Sequence, residues 1–232
     1  MTKATDISLI IPTLNEENGL RNLNSRFKKT KIREIIVVDG GSVDKTIFIA
    51  KKFDAKVISE KTRGYGLALR TGFNSASREI IGCADGDGTY PVEALPEMVK
   101  YFKKNKLDFL VACRFPLKNR TSMPVKNFFG NILISSITSM LFDFQATDVC
   151  SGMWLMNKKT WNQIKYKIKD NKWFFSNEIK IEALLNKKIK YDEFWIELKN
   201  REGFTKVGNV WFIGLSVLIK ILMKKLFSKS HA

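Results

Sequence analysis

Ile80-Ile81-Gly82-Cys83-Ala84-Asp85-Gly86-Asp87-Gly88-Thr89-Tyr90-Pro91 is the stretch that decides the fold: an apolar run too short for a helix stops at two carboxylates separated by one glycine. Uninterrupted apolar runs of this length predict strands buried on both faces. Working back toward the N-terminus, Ile7 to Ile11 ends at Pro12, Ile35 to Val38 ends at Asp39, and Lys56 to Ser59 surrounds a third candidate. Between them, Glu17 to Lys29, Asp44 to Phe53 and Gly66 to Ala76 have helical spacing, with Asp44 placed to cap the second. Such alternation predicts an α/β chain with a mostly parallel sheet covered by helices on both faces. Ligands of these sheets bind beyond the carboxyl ends of the strands, where Pro12, Asp39 and Asp85 stand.

Toward the C-terminus, Val92 to Lys104 reads as a helix and Phe109 to Cys113 as another buried strand. Val125 to Phe142 carries one charge, Lys126, yet Asn127, Asn131, Ser135, Ser136 and Thr138 make it too polar for a bilayer span. It reads equally as an amphipathic helix on a membrane face or as a helix packed in the core. Val207 to Phe227 sets Trp211, Phe212, Leu215, Leu218, Ile219 and Leu222 at helical spacing, but Lys220, Lys224 and Lys225 fall within the ~20 residues a span requires. This predicts an interfacial anchor whose lysines meet anionic headgroups. The expected organisation is one domain, residues 1–206, followed by a basic membrane-facing segment, residues 207–232.

The 232 residues include 40 Lys and Arg against 23 Asp and Glu, a net charge of +17 that predicts a polyanionic partner. Residues 1–99 hold 15 basic and 13 acidic side chains, so the excess lies in the second half. That asymmetry, and the absence of a nucleic-acid motif, argue against a basic nucleic-acid-binding module. The three cysteines have no Cys-x-x-Cys spacing and read as small buried hydrophobes in a reducing compartment. Residues 1–17 reach Pro12, Asn15 and Glu16 before any long apolar run, unlike a secretory signal. His231 is the one histidine, which excludes a His-dependent triad and leaves any catalytic metal to oxygen ligands.

Two carboxylates at i and i+2, turned out of a strand by small residues, can hold one hard divalent cation against a diphosphate; alone, Asp85-Gly86-Asp87 is also an ordinary Asp/Gly turn. Asp39, followed by Gly40-Gly41-Ser42, can accept from a nucleobase or ribose, or merely close a turn before a helix. Arg63 to Gly72 has part of a dinucleotide-binding pattern, but Leu69 takes the place of the third glycine, and no phosphate-binding P-loop exists in the chain.

Ile10-Ile11-Pro12-Thr13-Leu14-Asn15-Glu16-Glu17, Val37 to Thr46, Arg63-Gly64-Tyr65-Gly66 and Ala84 to Pro91 occur in the order and spacing of family 2 glycosyltransferases. The chain most resembles the dolichyl- or polyprenyl-phosphate sugar synthases, the mannosyl and glucosyl types. The resemblance continues through Thr147-Asp148-Val149-Cys150-Ser151-Gly152-Met153 and Arg201-Glu202-Gly203-Phe204-Thr205-Lys206.

It implies a GT-A fold with a single Rossmann-like sheet and an inverting transfer of hexose from a UDP- or GDP-hexose to a polyprenyl phosphate. The enzyme would be peripheral on the cytoplasmic face of a membrane, with residues 1–91 binding the donor and residues 92–206 the acceptor. Pro12, Asn15, Glu16, Asp39, Gly66 and Asp85 would surround the donor, and Asp85 and Asp87 would hold Mg2+ or Mn2+. Arg114, Ser151 and Lys206 would meet the acceptor phosphate, and Asp87, Asp148 and Arg201 would be catalytic. The chain departs from the pattern at Thr89, where mannosyl synthases usually have a metal-binding Gln, and at Gly40, where many members have a second Asp. A lipid phosphate is already an anion and requires no general base; a saccharide hydroxyl, the alternative acceptor, would require one, and Asp148 would then lead.

Overall fold

The computed structural model describes residues 5–119, 121–200 and 210–228. In chain order its elements are β1 (Thr5–Thr13), α1 (Glu17–Thr30), β2 (Ile32–Asp39), α2 (Thr46–Lys51), β3 (Lys56–Ser59), α3 (Tyr65–Ser75) and β4 (Ile80–Cys83). They continue with α4 (Leu95–Lys104), β5 (Phe109–Cys113), α5 (Val125–Phe142), β6 (Trp154–Asn157), α6 (Lys158–Ile164), α7 (Phe175–Leu185), β7 (Tyr191–Trp195) and α8 (Val210–Ser228). The strands form one seven-stranded sheet in the order β3-β2-β1-β4-β6-β5-β7. All pairings are parallel except those of β6, which runs antiparallel to both β4 and β5.

The five strands expected from the sequence are found, with β1 running on through Pro12 to Thr13 and β4 stopping one residue early at Cys83; Thr13 is in register with Asp39 and Ile10 with Cys83. The antiparallel β6 and the edge strand β7 were not expected, nor were α6 and α7. Trp154 to Asn157 is only four residues long and runs straight into α6. Tyr191 to Trp195 mixes polar and aromatic residues along the sheet edge, where neither face is fully buried, so neither strand carries the longer apolar run that announced β1, β2, β4 and β5.

Strand periodicity divides β1 between two cores. Ile7, Leu9 and Ile11 pack with Leu20, Leu23, Phe27, Leu95 and Met98 under α1 and α4. Ile10 faces the opposite side, with Leu69 and Phe73 of α3, Trp161 of α6, and Phe175 and Ile179 of α7. A third cluster joins Ile134 and Phe142 of α5 to Phe174, Ile181 of α7, and Val217 and Ile221 of α8. One face of α8 is therefore core. The other exposes Phe212, Leu215, Ile219, Leu222, Met223 and Leu226. No helix among the described residues is long and apolar enough to cross a membrane.

The lysines of α8 correct the expectation that they meet headgroups. Lys220 pairs with Asp170, Lys224 with Glu178 and Glu182, and Lys225 lies 5.3 Å from the Phe142 ring centroid. Val217, Lys220, Ile221 and Lys224 fall at i, i+3, i+4 and i+7, a single helical stripe, so the face that buries Val217 and Ile221 also turns these two lysines inward.

Helix α3 crosses β1 at Gly72, where a Cβ would enter the space of the Ile10 side chain. Gly72→Ala should lower stability by about 1–3 kcal/mol despite alanine's better helix propensity. The check is a urea melt; an unchanged or raised midpoint would show that the contact relaxes freely.

Candidate active site

A cleft of about 400 Å³ opens beyond the carboxyl ends of β1, β2 and β4, within the ~300–1,000 Å³ of small-molecule sites. Pro12, Thr13, Leu14 and Glu16 come from the end of β1, Gly40 from the end of β2, and Asp85, Gly86 and Asp87 from the end of β4. Arg63, Gly64, Tyr65 and Ala68 come from the start of α3, and Lys172 and Trp173 from the segment before α7.

The loops that end β1 and β2 are stitched into one surface. The backbone N–H groups of Asn15 and Glu16 donate to Ser42 Oγ and Thr46 Oγ1, both at 2.8 Å, and the Val43 N–H donates to Asn15 Oδ1 at 2.8 Å. Asn15 holds a φ of 51°, in the left-handed region that asparagine tolerates. Beneath them Asp39 is fully buried and accepts from the N–H groups of Gly41 and Ser42 (3.0 and 2.9 Å) and from the hydroxyls of Ser42 and Thr13 (2.5 and 3.2 Å). It shapes the cleft from below, while Gly40 supplies the lining.

Asp85 accepts the Tyr65 hydroxyl proton at 2.8 Å, and the Tyr65 ring stacks on Trp173 with centroids 4.9 Å apart. Burial, reinforced by the Asp85 charge, holds the Tyr65 phenol well above its usual pKa, which keeps it a donor. Asp87 Oδ1 accepts both the N–H and the hydroxyl of Thr89, at 3.0 and 2.7 Å. The residue that departs from the family pattern thus orients the Asp87 carboxylate. Buried Arg26 of α1 fastens the same turn, donating to the carbonyls of Gly88 and Tyr90 at 2.8 and 2.6 Å and to both Glu93 oxygens at 2.9 Å.

Asp85 and Asp87 offer hard oxygen ligands on one cleft, a donor set suited to Mg2+ or Mn2+. Among the described residues no third His, Cys, Asp or Glu joins them in a metal-sized cluster. Most of a six-oxygen shell is thereby left to a ligand such as a diphosphate, and in that sense the pair fits the cation.

Of the residues expected at the site, Pro12, Glu16, Asp85 and Asp87 line the cleft, whereas Asn15 and the wholly buried Asp39 do not line it and instead brace the loops that do. Gly66 is placed elsewhere: a Cβ there would strike Phe175, so this glycine lets α3 approach α7. Arg114 and Asp148 are brought together rather than offered to a ligand. The Asp148 carboxylate is fully buried and takes two guanidinium bonds at 2.6 Å and the Arg114 N–H at 3.1 Å. Burial opposes the Arg114 charge, but Asp148 more than offsets it and raises the guanidinium's pKa further. Ser151 is also buried, donating to the Ala112 carbonyl at 2.7 Å. Arg201 and Lys206 lie outside the described residues.

Three side chains that line or brace the cleft escaped the sequence reading. Lys172 and Trp173 belong to no apolar run and reach the cleft only because α7 lies against α3. Lys180 is wholly buried, and its ammonium donates to the carbonyls of Ser151 and Ser176 (2.7 and 2.6 Å) and to Ser176 Oγ (2.9 Å). Burial lowers its pKa to about 8. It fixes the loop whose Gly152 packs against the Asp85 carboxylate, at a point where any Cβ would collide with it.

Residues 8–164 match the family described as Glycosyl transferase family 2. The chain belongs to that family. Among its relatives, a dolichyl-phosphate hexose transferase of Haloferax volcanii is 27% identical over 97% of this chain and 96% of its own length. A UDP-N-acetylglucosamine–dolichyl-phosphate N-acetylglucosaminyltransferase of Methanococcus voltae is 26% identical over 95% of this chain and 96% of its own. The fold is also similar to that of glucosyl-3-phosphoglycerate synthase from Mycobacterium tuberculosis, solved with Mn2+, UDP and phosphoglyceric acid. That likeness has a TM-score of 0.73 at 16% identity and covers 95% of this chain and 78% of the other.

The Arg26–Glu93 clamp makes the loop of this family 2 site sensitive to acid. Burial alone would raise the Glu93 pKa, but hydrogen bonds from Arg26 and Lys199 bring it to about 2 from an ordinary 4.5. The folded-state value is depressed, so the stabilisation is complete above about pH 4.5 and is lost as pH falls toward 2. Glu93→Gln should therefore be less stable than the parent at pH 7, with the difference shrinking across that window. Denaturant melts at a series of pH values provide the check; a pH-independent difference would contradict it.

Proposed function

We propose that this family 2 enzyme transfers a hexose from a nucleoside-diphosphate sugar to a polyprenyl phosphate at a membrane surface, with inversion at the anomeric carbon. The observation that carries the reading is the pairing of an Asp85/Asp87 cleft, rimmed by Arg63 and Lys172, with the exposed apolar faces of α5 and α8. The cleft has hard ligands for a cation and side chains to contact a diphosphate sugar. The packed helices α5 and α8 add Phe129, Leu133 and Met140 to the apolar row of Leu215, Ile219, Leu222 and Leu226. An exposed row of this kind suits the boundary of a lipid layer. The names of the two dolichyl-phosphate transferases support the same acceptor class.

In this reaction an oxygen of the lipid phosphate attacks the anomeric carbon while the bond from that carbon to the nucleoside diphosphate breaks. The acceptor is already ionised, so no side chain has to remove a proton. The commitment of Asp148 to Arg114 supports that route over one through a neutral hydroxyl. Asp85 and Asp87 would hold a divalent cation, which would supply neutralising charge for the departing diphosphate. Thr89 and Tyr65 hold those carboxylates in place, the floor stitched by Asn15 and Asp39 receives the nucleoside, and Arg63 and Lys172 add positive charge at the rim.

The deciding experiment screens UDP- and GDP-hexoses for Mg2+- or Mn2+-dependent transfer to phytanyl or undecaprenyl phosphate, reading the product's anomeric configuration by NMR. Asp87→Asn should leave the fold intact and slow transfer about a thousandfold; a rate within tenfold of the parent would overturn the assignment. Transfer to saccharides but not to lipid phosphates would move the acceptor to a sugar hydroxyl.

The double variant Leu215→Ser/Leu222→Ser should bind UDP or GDP like the parent, yet sediment less with anionic vesicles and transfer more slowly to the long-chain lipid phosphate. Undiminished sedimentation at ~0.15 M salt, where charge attraction beyond about 8 Å is screened, would place the membrane contact elsewhere.

A further inference from the structure

Lys172 and Trp173 form a wall of the cleft on a segment that has no regular structure of its own, so something else must fix it. Two acidic side chains do so, and each divides its two oxygens in the same way. Glu178 of α7 accepts the backbone N–H groups of Lys169 and Asp170 on Oε2, both at 2.9 Å, while its Oε1 meets Lys224 of α8 at 2.9 Å. Asp170 accepts the Lys172 N–H on Oδ1 at 2.6 Å, while its Oδ2 meets Lys220 of α8 at 2.5 Å. The Asn171 carbonyl then accepts the Leu67 N–H at 3.0 Å, joining the segment to the first turn of α3, where Tyr65 stacks on Trp173.

This arrangement is more than a surface pairing. Glu178 and Glu182 are both buried, and the Lys224 ammonium pairs with each, at 2.9 and 2.6 Å. Without it two adjacent buried carboxylates would face each other, which disfavours their ionised forms and weakens Glu178 as an acceptor for the loop. Burial alone would lower the Lys224 pKa, and the two glutamates raise it instead, which keeps the ammonium charged.

We infer that Glu178, Lys220 and Lys224 are positioning residues of the donor site: the inward lysines of α8 orient Glu178 and Asp170, which in turn hold Lys172 and Trp173 against the cleft. The helix whose outer face is apolar is thereby mechanically part of the nucleotide-sugar pocket. This rests on reading the cleft as the donor site, and the test separates the two.

Amide hydrogen exchange of residues 168–173 is compared in the parent, Lys224→Met, Lys220→Met and Lys224→Arg, alongside calorimetric titration with UDP and with GDP in the presence of Mn2+. Exchange at Lys169 and Asp170 should accelerate at least tenfold in Lys224→Met while the β1 amides stay protected. Affinity for the nucleotide should fall at least fivefold, KM for the donor should rise with kcat changed less than twofold, and Lys224→Arg should restore both readouts. Lys220→Met breaks the more exposed pair and should loosen Lys172 with a smaller loss of affinity; it decides the matter if Lys224→Met does not fold. Exchange within twofold of the parent in the folded Lys→Met variants overturns the inference, as does faster exchange with unchanged nucleotide affinity. A parent protein that binds neither nucleotide overturns the donor-site reading, and the exchange comparison still decides the clamp.

Discussion

Backbone presses on the Asp85-Gly86-Asp87 turn from three sides. Gly19 of α1 lies where a Cβ would enter the Gly86 carbonyl, Gly86 itself lies against Thr13 and Pro12, and Gly152 lies where a Cβ would overlap the Asp85 carboxylate. This close approach is the constraint on which the site depends. It lets three strand ends and the loop before β6 converge on a small volume, so two carboxylates from β4 share a cleft with residues of β1, β2 and α3. A Cβ at Gly19 or Gly152 would collide outright with the turn, and one at Gly86 would crowd it. Glycine is used here for the space its missing Cβ leaves; Gly41 and Gly88, the described glycines with a positive φ, meet no close neighbour and serve their turns by conformation instead.

The second organising feature is the number of charges kept inside. Arg26, Arg114, Asp148, Glu178, Lys180 and Glu182 are all buried, and each meets opposite charge or several hydrogen-bonding groups. Buried pairs add little net stability over apolar residues, yet breaking one costs about 3–5 kcal/mol. Their consequence is geometric. Arg26 fixes the turn bearing Asp87, Arg114 and Lys180 fix the loop that faces Asp85, and Glu178 fixes the wall bearing Trp173. Reactive groups on loops therefore gain the rigidity of the helices and strands that hold the buried charges.

The same accounting changes how the basic composition is understood. A net charge of +17 reads as attraction to an anionic partner, but part of the positive charge in the second half is spent on internal neighbours. Lys180 and Lys224 point into the protein, and the part-exposed Lys220 pairs with Asp170. What α8 offers outward is chiefly apolar, so its contact with a lipid layer would rest on buried area more than on charge.

The fold and several of the residues that line the cleft were legible in the sequence, because both are written in local patterns. Apolar runs of five or so residues announce parallel strands, their terminal Pro12, Asp39 and Asp85 mark the edge where the cleft opens, and two carboxylates across one glycine foretell the acidic pair that lines it. Those signals depend only on neighbours along the chain. The short β6 and the edge strand β7 lack them, and their places came from pairing partners more than forty residues away. Only tertiary structure decided which charges act and which support. Arg114 and Asp148, separated by 34 residues, neutralise each other; Lys172 and Trp173 reach a cleft built mainly from residues 12–87; and one stripe of α8 turns its lysines inward because Val217 and Ile221 must be buried. A charged residue's role follows from what lies across the space it occupies, and that is set by how helices pack on the sheet, at distances the sequence does not record.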